Sequence, residues 1–326
     1  MRPCWTQGIR TALNGKRLVF GIDAGGTSVR IALADAHMGT VLYEARAGAD
    51  PSGGPEPLLI LLPQMFAQTG TRNEHVSGIC AGIAKWSRDA VRPAWENALL
   101  NFFPNVPALV RQVLPDYVTA FRGAIPVGAG VMVISGTGSV AYGETATGSG
   151  ARVGGRGWEW GDEGSGAWLT IEAMRRTLRA LDGLETLSPL TNAVCDFLET
   201  RDPALLGEAA RRQAEQNGRG FLVPLVLSLA QNGDKEAVNL FVGTAGWLAA
   251  YARAAVQKLH LPIDTPLTVS GVGGLWEASG PLLSVPFQTV LSRFLPNAVC
   301  AKPDAAPVIG AVRIAQGVVA EQFRAL

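Results

Sequence analysis

Histidine is scarce in this chain: there are three in 326 residues. The cysteines Cys4, Cys80, Cys195 and Cys300 stand far apart, with no CxxC spacing. A zinc site or a disulfide framework needs such residues clustered, so neither organises this fold. All four cysteines are expected to be small buried residues. Neither sign of charge dominates. Lys and Arg total 28 against 27 Asp and Glu, for a net charge of +1, and no basic run occurs. Nucleic acid and anionic membrane surfaces are therefore not expected partners. No apolar run reaches the roughly 18 residues of a membrane-spanning helix. Met1 to Arg17 lacks the apolar core of a secretory signal. The expectation is a cytoplasmic protein with a short extension over residues 1–17.

Apolar residues, by contrast, make up 48% of the chain and charged residues only 17%. That composition supports a well-packed core, and the length fits two α/β domains rather than one. Glycine is concentrated where apolar strands end. The first cluster is Gly21-Ile22-Asp23-Ala24-Gly25-Gly26-Thr27-Ser28-Val29-Arg30. An apolar strand from Leu18 to Ile22 and another from Val29 to Leu33 flank it. Gly25 and Gly26 permit a turn with positive φ and let an anion approach bare backbone. Asp23, at the strand end, is an oxygen donor suited to a hydrated Mg²⁺. An ordinary hairpin would use the same residue types.

A second cluster repeats the pattern in Val131-Met132-Val133-Ile134-Ser135-Gly136-Thr137-Gly138-Ser139-Val140. Two such hairpins suggest two similar halves, each offering backbone N–H groups to a polyphosphate in one cleft. A third, Thr268-Val269-Ser270-Gly271-Val272-Gly273-Gly274-Leu275-Trp276, again follows an apolar strand. Glycines there let a flat ring or a ribose lie against backbone. Between the second and third clusters lies Gly154-Gly155-Arg156-Gly157-Trp158-Glu159-Trp160-Gly161-Asp162-Glu163-Gly164-Ser165-Gly166.

In this order the motifs resemble those of the actin, sugar kinase and Hsp70 superfamily. Gly21 to Arg30 resembles its first phosphate motif, Ile134 to Ser139 its second, and Ser270 to Trp276 its adenosine motif. The Gly-Asp-Glu-Gly-Ser core of residues 161–165 is similar to that of the N-acetylglucosamine kinases and the BadF/BadG/BcrA/BcrD-type ATPases. The resemblance runs from about Leu18 to Ala315. It implies two ribonuclease-H-like α/β domains flanking a nucleotide and sugar cleft. Residues 18–120 with 310–326 would form one domain and 121–309 the other.

The implied activity is ATP-dependent, Mg²⁺-assisted phosphorylation of an amino sugar, of N-acetylglucosamine or glucosamine type, at its 6-hydroxyl. Dimers are common in the group. Gly25, Gly26, Thr27, Ser28, Gly136, Thr137, Gly138 and Ser139 would cradle the nucleotide phosphates. Gly273 and Gly274 would lie against adenosine, and Asp23 would orient the metal. Asp116, in Leu114-Pro115-Asp116-Tyr117, matches the aspartate that precedes the second phosphate motif and would serve as base. An aspartate that merely caps a helix would look the same. Asp162 would hold sugar hydroxyls with Gly155, Arg156 and Gly157 beside it, whereas a helix N-terminus also favours acids. Trp158 and Trp160 are candidate sugar-lining rings, and Trp168 has the spacing of a core residue.

Two residues depart from the amino-sugar kinase pattern. Gly53 in Pro51-Ser52-Gly53 stands where the family carries a sugar-contacting Asn, and Arg156 stands where it carries Trp. Arg156 would suit a carboxylate or phosphate on the ligand, or would be a solvated surface residue. Two other activities share the fold. One is an ATPase that drives a partner enzyme; its relatives hold an iron–sulfur cluster on closely spaced cysteines, which this chain lacks. The other is a sugar sensor that keeps its nucleotide site.

Overall fold

The computed structural model describes residues 17–50 and 52–324. Most of the expected N-terminal extension, Cys4 and Pro51 lie outside the described residues. The chain divides into two compact units: one runs to Val127 and resumes at Pro303, and the other is Gly128–Lys302. These boundaries lie several residues from positions 120 and 310, where the sequence places them.

The first unit is built on a five-stranded sheet of order β3-β2-β1-β4-β5. Its strands are β1 (Leu18–Ala24), β2 (Ser28–Asp35), β3 (Val41–Gly48), β4 (Val76–Ile83) and β5 (Arg111–Pro115). β1, β2 and β3 pair antiparallel, whereas β4 and β5 run parallel to β1. β1 is buried almost throughout, as its unbroken apolar run requires of a central strand covered on both faces. β3 alternates with exposed positions, as an edge strand covered on one face does. It begins at Val41, after Gly39 has turned the chain at φ +67°. Helices α1 (Leu58–Thr69), α2 (Val91–Phe102) and α3 (Asp116–Ala124) complete this part of the unit. Trp95, Phe20 and Phe103 are its largest fully buried side chains.

The second unit repeats the same plan with order β10-β9-β6-β7-β8. Here β6 (Gly130–Ser135), β7 (Ser139–Glu144) and β8 (Gly150–Gly154) pair antiparallel. β9 (Leu267–Val272) runs parallel to β6, and β10 (Ala298–Ala301) parallel to β9. The two ribonuclease-H-like halves read from the repeated hairpins are thus present. Between β8 and β9 lie α4 (Gly166–Leu181), α5 (Pro189–Phe197), α6 (Pro203–Asn217), α7 (Val223–Gln231) and the long α8 (Lys235–Lys258). α9 (Gly274–Ser279) and α10 (Pro281–Phe294) follow β9. Pro286 stands in the interior of α10, where it removes a helical hydrogen-bond donor. Cys80 and Cys195 are buried as expected. Cys300 is exposed, because it lies on the outer-facing stretch of edge strand β10. No helix among the described residues is long and apolar enough to cross a membrane.

The last helix, α11 (Pro307–Arg324), returns to the first unit, starting slightly earlier than the expected Gly310. It lies on β1 and β4 and crosses α3, and each contact is made where a side chain is missing. A Cβ at Gly21 would stand 2.7 Å from the Val308 carbonyl oxygen. One at Gly310 would fall on the Thr119 carbonyl oxygen. Arg313 locks the crossing by donating to the carbonyls of Arg122 and Gly123, at 2.9 and 3.0 Å. Because backbone meets backbone at Gly310, no flexible side chain can yield. Gly310→Val should therefore destabilise the fold by about 3 kcal/mol, the upper part of the overpacking range. Urea denaturation would register this as a lowered midpoint; an unchanged midpoint would show that the crossing is looser than described.

Candidate active site

In the first unit the candidate residues gather where β1 and β4 end. Asp23 is paired with Arg30 across the hairpin, one residue before the turn. The Gly25 N–H donates to the Ser28 carbonyl at 3.0 Å, which closes the turn tightly. Ala49 N–H holds the Thr27 carbonyl at 3.1 Å. Gly26 and Thr27 are exposed, and a Cβ on Gly26 would meet nothing. Neither Gly25 nor Gly26 has positive φ, contrary to the sequence reading. What they give the turn is bare, open backbone rather than a left-handed conformation.

Asp116 is the first residue of α3, and Pro115 occupies the cap position. Asp116 is therefore not the helix cap that its sequence allowed. Its main-chain carbonyl takes the Thr119 hydroxyl at 2.9 Å. The Asp116 carboxylate lies near enough to Asp23 to act on it. Burial is the first cause that pushes the Asp23 pKa up, to about 6; the Asp116 charge adds to it and Arg30 opposes it. Two acids thus share the end of this sheet. Among the described residues no group of three or more His, Cys, Asp or Glu could hold a metal by itself.

In the second unit the signature loop is hydrogen-bonded onto the β6–β7 turn. Ser135 Oγ donates to the Gly164 carbonyl and Ser139 Oγ to the Glu163 carbonyl, both at 2.7 Å. The N–H groups of Gly166 and Ala167 donate to the carbonyls of Gly136 and Thr137, at 2.8 and 3.3 Å. Ser165 caps α4 by accepting from Trp168 N–H at 3.1 Å. Ser139 has one hydroxyl proton and it is committed, so the side chain supports the turn rather than donating to a phosphate. Thr137 remains exposed at the tip.

These bonds deliver Asp162 to the turn. Its backbone is left-handed, at φ +56°, which few non-glycine residues adopt. Its Oδ1 accepts the Gly157 N–H at 3.3 Å. A Cβ on Gly138 would stand 2.8 Å from its Oδ2. Burial raises the Asp162 pKa, against the Gly157 hydrogen bond and the Arg152 charge. Gly155 is fixed by Arg152, which donates to its carbonyl. Arg156 is exposed, and its Cβ and backbone lie beside Gly161. Trp160 is 88% exposed, and Trp158 is covered by the Arg219 guanidinium at 4.6 Å from its ring. Trp168 packs into the core, as its spacing suggested.

The third glycine cluster meets the same place. Gly273 has φ +111°, and a Cβ there would stand 2.5 Å from the Ser135 carbonyl oxygen. Gly274 opens α9 with free space beside it. Thus Gly136, Thr137, Gly138, Ser139, Gly157, Asp162 and Gly273 come together within this unit. In the other, Asp23, Gly25, Gly26 and Asp116 do. Two residues escaped the sequence analysis. Tyr251 on α8 donates its hydroxyl to Glu163, which fixes Glu163 as a support of the loop. Lys85, just after β4, lines a recess with Gly25 and Gly26. A lone Tyr in a helix and a lone Lys after a strand carry no pattern to find them by.

The raised pKa of Asp23 has a consequence for stability. Its folded value exceeds the ordinary 3.8, so its contribution is full below that value and is lost as pH rises through about 6. In ligand-free protein, Asp23→Asn should be more stable than the parent at pH 8, by at most about 3 kcal/mol. The gap should narrow as pH falls towards 4. Urea denaturation across that range tests it, and a gap independent of pH would contradict the burial argument.

Comparison with known proteins agrees with this geometry. The pattern of the BadF/BadG/BcrA/BcrD ATPase family matches residues 20–315. The N-acetylmuramic acid/N-acetylglucosamine kinase of Clostridium acetobutylicum is 27% identical over 267 residues, covering 79% of this chain and 85% of its own. The N-acetyl-D-glucosamine kinase of Dictyostelium discoideum is 24% identical, covering 92% and 98%. A solved structure from Chromobacterium violaceum, described as a candidate N-acetylglucosamine kinase, is 29% identical with a TM-score of 0.69, covering 92% of this chain and 99% of its own. With that pattern running through both sheets and all three glycine clusters, the chain belongs to the BadF/BadG/BcrA/BcrD ATPase family.

Proposed function

We propose that the protein is an ATP-dependent kinase that phosphorylates an amino sugar of N-acetylglucosamine or glucosamine type, at its 6-hydroxyl. The single observation that carries the reading is that Asp23 and Asp116 come to the same end of one sheet, beside the first glycine turn. An acid next to a phosphate turn, raising its neighbour's pKa, is where a base for an attacking hydroxyl belongs. The names of the relatives supply the acceptor class.

Phosphoryl transfer asks little covalent chemistry of the protein; positioning and charge stabilisation dominate. The acceptor O–H gives its proton to the Asp116 carboxylate as its oxygen bonds to the γ-phosphorus. The bond from that phosphorus to the bridging oxygen breaks, and ADP leaves. Asp162 accepts hydrogen bonds from sugar hydroxyls, and its contact with Gly138 keeps that sugar beside the phosphate that the turn holds. The open backbone of Gly25, Gly26, Thr27, Gly136 and Gly138 receives phosphate oxygens, and Gly273 and Gly274 receive adenosine. Mg²⁺ fits Asp23: one carboxylate with Asp116 nearby, and no cluster of three ligands among the described residues, suits a hydrated ion rather than an all-protein cage. When bound, it supplies charge neutralisation on the phosphates. Burial makes ionising Asp23 costly, and a cation would relieve that cost.

The test is ADP release from Mg-ATP with a panel of amino sugars. Stimulation by N-acetylglucosamine or glucosamine is expected. ATP hydrolysis indifferent to every sugar, with a stable protein complex, would replace the kinase by the partner-driving ATPase. Asp116→Asn should lower kcat by about 10² or more with sugar affinity largely kept. Asp162→Asn should chiefly weaken sugar binding, since a neutral acceptor replaces a charged one. Exchanged phenotypes would overturn the two roles.

A further inference from the structure

The parallel ladder of β1 and β4 runs up to the first phosphate turn. Ala24 pairs with Ile83, and the Ala84 N–H donates to the Ala24 carbonyl at 2.8 Å. The ladder ends there, and Lys85 and Gly26 line the same recess beyond it. At Lys85 the backbone turns left-handed, with φ +57°. Glycine adopts that conformation freely, whereas a long side chain there is uncommon. The strand end is held on its far side by Trp86, whose indole N–H donates to the Val113 carbonyl at 3.3 Å.

Lys85 leaves this strand end half-buried, and its stem crosses Gly53. A Cβ on Gly53 would stand 3.2 Å from Lys85 Cδ, so a side chain at 53 would press on the lysine. Gly53 is itself left-handed, at φ +89°, and its carbonyl takes the Trp95 indole N–H at 2.9 Å. Lys85, Gly25, Gly26, Asp50 and Gly53 line one recess, with Trp95 at its base. The recess holds about 10 Å³, room for one water-sized group and not for a sugar ring.

We propose that Lys85 is an anion-binding residue of the active site, holding a single anionic oxygen beside the Gly25–Gly26 turn. The proposal rests on the kinase reading for its location, since that reading puts phosphate on this turn. An ammonium is a compact point charge with three donors, suited to one oxygen rather than to bidentate recognition. The chemistry is shared by two sources, the γ-phosphoryl group of the nucleotide and a carboxylate carried by the acceptor. N-acetylmuramate, named for one relative, carries such a carboxylate and N-acetylglucosamine does not.

The test uses the full chain and the variants Lys85→Met and Lys85→Arg. Titration calorimetry gives Kd for ATP, ADP, N-acetylglucosamine and N-acetylmuramate, and ADP release gives kcat/KM for both sugars. Lys85→Met should weaken the favoured ligand at least tenfold, and Lys85→Arg should recover most of the loss. Weakened ATP with unchanged ADP, and an equal fall in kcat/KM on both sugars, identifies the phosphoryl group. Weakened N-acetylmuramate alone identifies the acceptor carboxylate. If Lys85→Met, folded by its thermal transition, binds all four ligands within twofold of the parent, the proposal is overturned. Failure of the kinase reading shows separately, as parent protein that releases no ADP in response to either sugar.

Discussion

Hydrogen bonds between the signature loop and the β6–β7 turn are the constraint on which the second unit depends. Each is worth about 1 kcal/mol to stability, but their main effect is geometric. A helix leaves its first N–H groups without partners. At α4 two of these are met by the carbonyls of Gly136 and Thr137, and the next by the Ser165 cap. An anion therefore does not sit on the end of α4, although loops of this kind invite that reading. The helix instead holds the turn in place, and the open side of the turn at Thr137 and Gly138 is where a phosphate can approach. The same bonds oblige Asp162 to take a left-handed backbone, a strain of order 1 kcal/mol or more. Ser165 N–H bonded to the Asp162 carbonyl at 3.1 Å stabilises that conformation.

The first unit uses the same sheet order to a different end. Its turn closes on itself through Gly25 and Ser28, and acids rather than donors stand at its base. Asp23 and Asp116 come from the ends of strands two positions apart in the sheet, β1 and β5, with β4 between them. Parallel strands put their C-terminal ends on one side, so a single topology gathers Asp23, Lys85 and Asp116 without long loops. Burial then makes Asp23 easier to protonate, which suits a metal-orienting acid whose charge is costly until a cation arrives.

Much of this was legible in the sequence, and the reasons are particular. The strands that end in Asp23 and Ser135 are short apolar runs punctuated by glycine, and both phosphate turns fall where those runs stop. Asp116 opens a helix and Asp162 lies just ahead of the Ser165 cap, positions where acids are favoured. Conformation within the turns was not readable. Gly25 and Gly26 provide space and not positive φ, because the hairpin closes through one hydrogen bond between Gly25 and Ser28. Tyr251 and Lys85 lie far in sequence from what they touch. Local pattern carries backbone periodicity; it carries no information on which lone polar residue a fold will bring to a loop.

Gly53 shows how such distant contacts bear on specificity. Read from sequence, it is a lost polar side chain, an absence that weakens recognition of the acceptor. In the structure it is a residue fixed through its backbone: left-handed φ, a carbonyl engaged by the buried Trp95, and the Lys85 stem against the missing side chain. An Asn at this position would tolerate the φ better than most residues. Its side chain would still displace the lysine or be displaced by it. The departure at 53 and the lysine at 85 are thus one arrangement, because a Cβ at 53 would stand 3.2 Å from Lys85 Cδ and the stem would have to shift to admit it. Arg156, the other departure, is exposed, with its Cβ and backbone beside Gly161. Of the two departures, the glycine is the one whose missing side chain leaves room for a second residue of the recess.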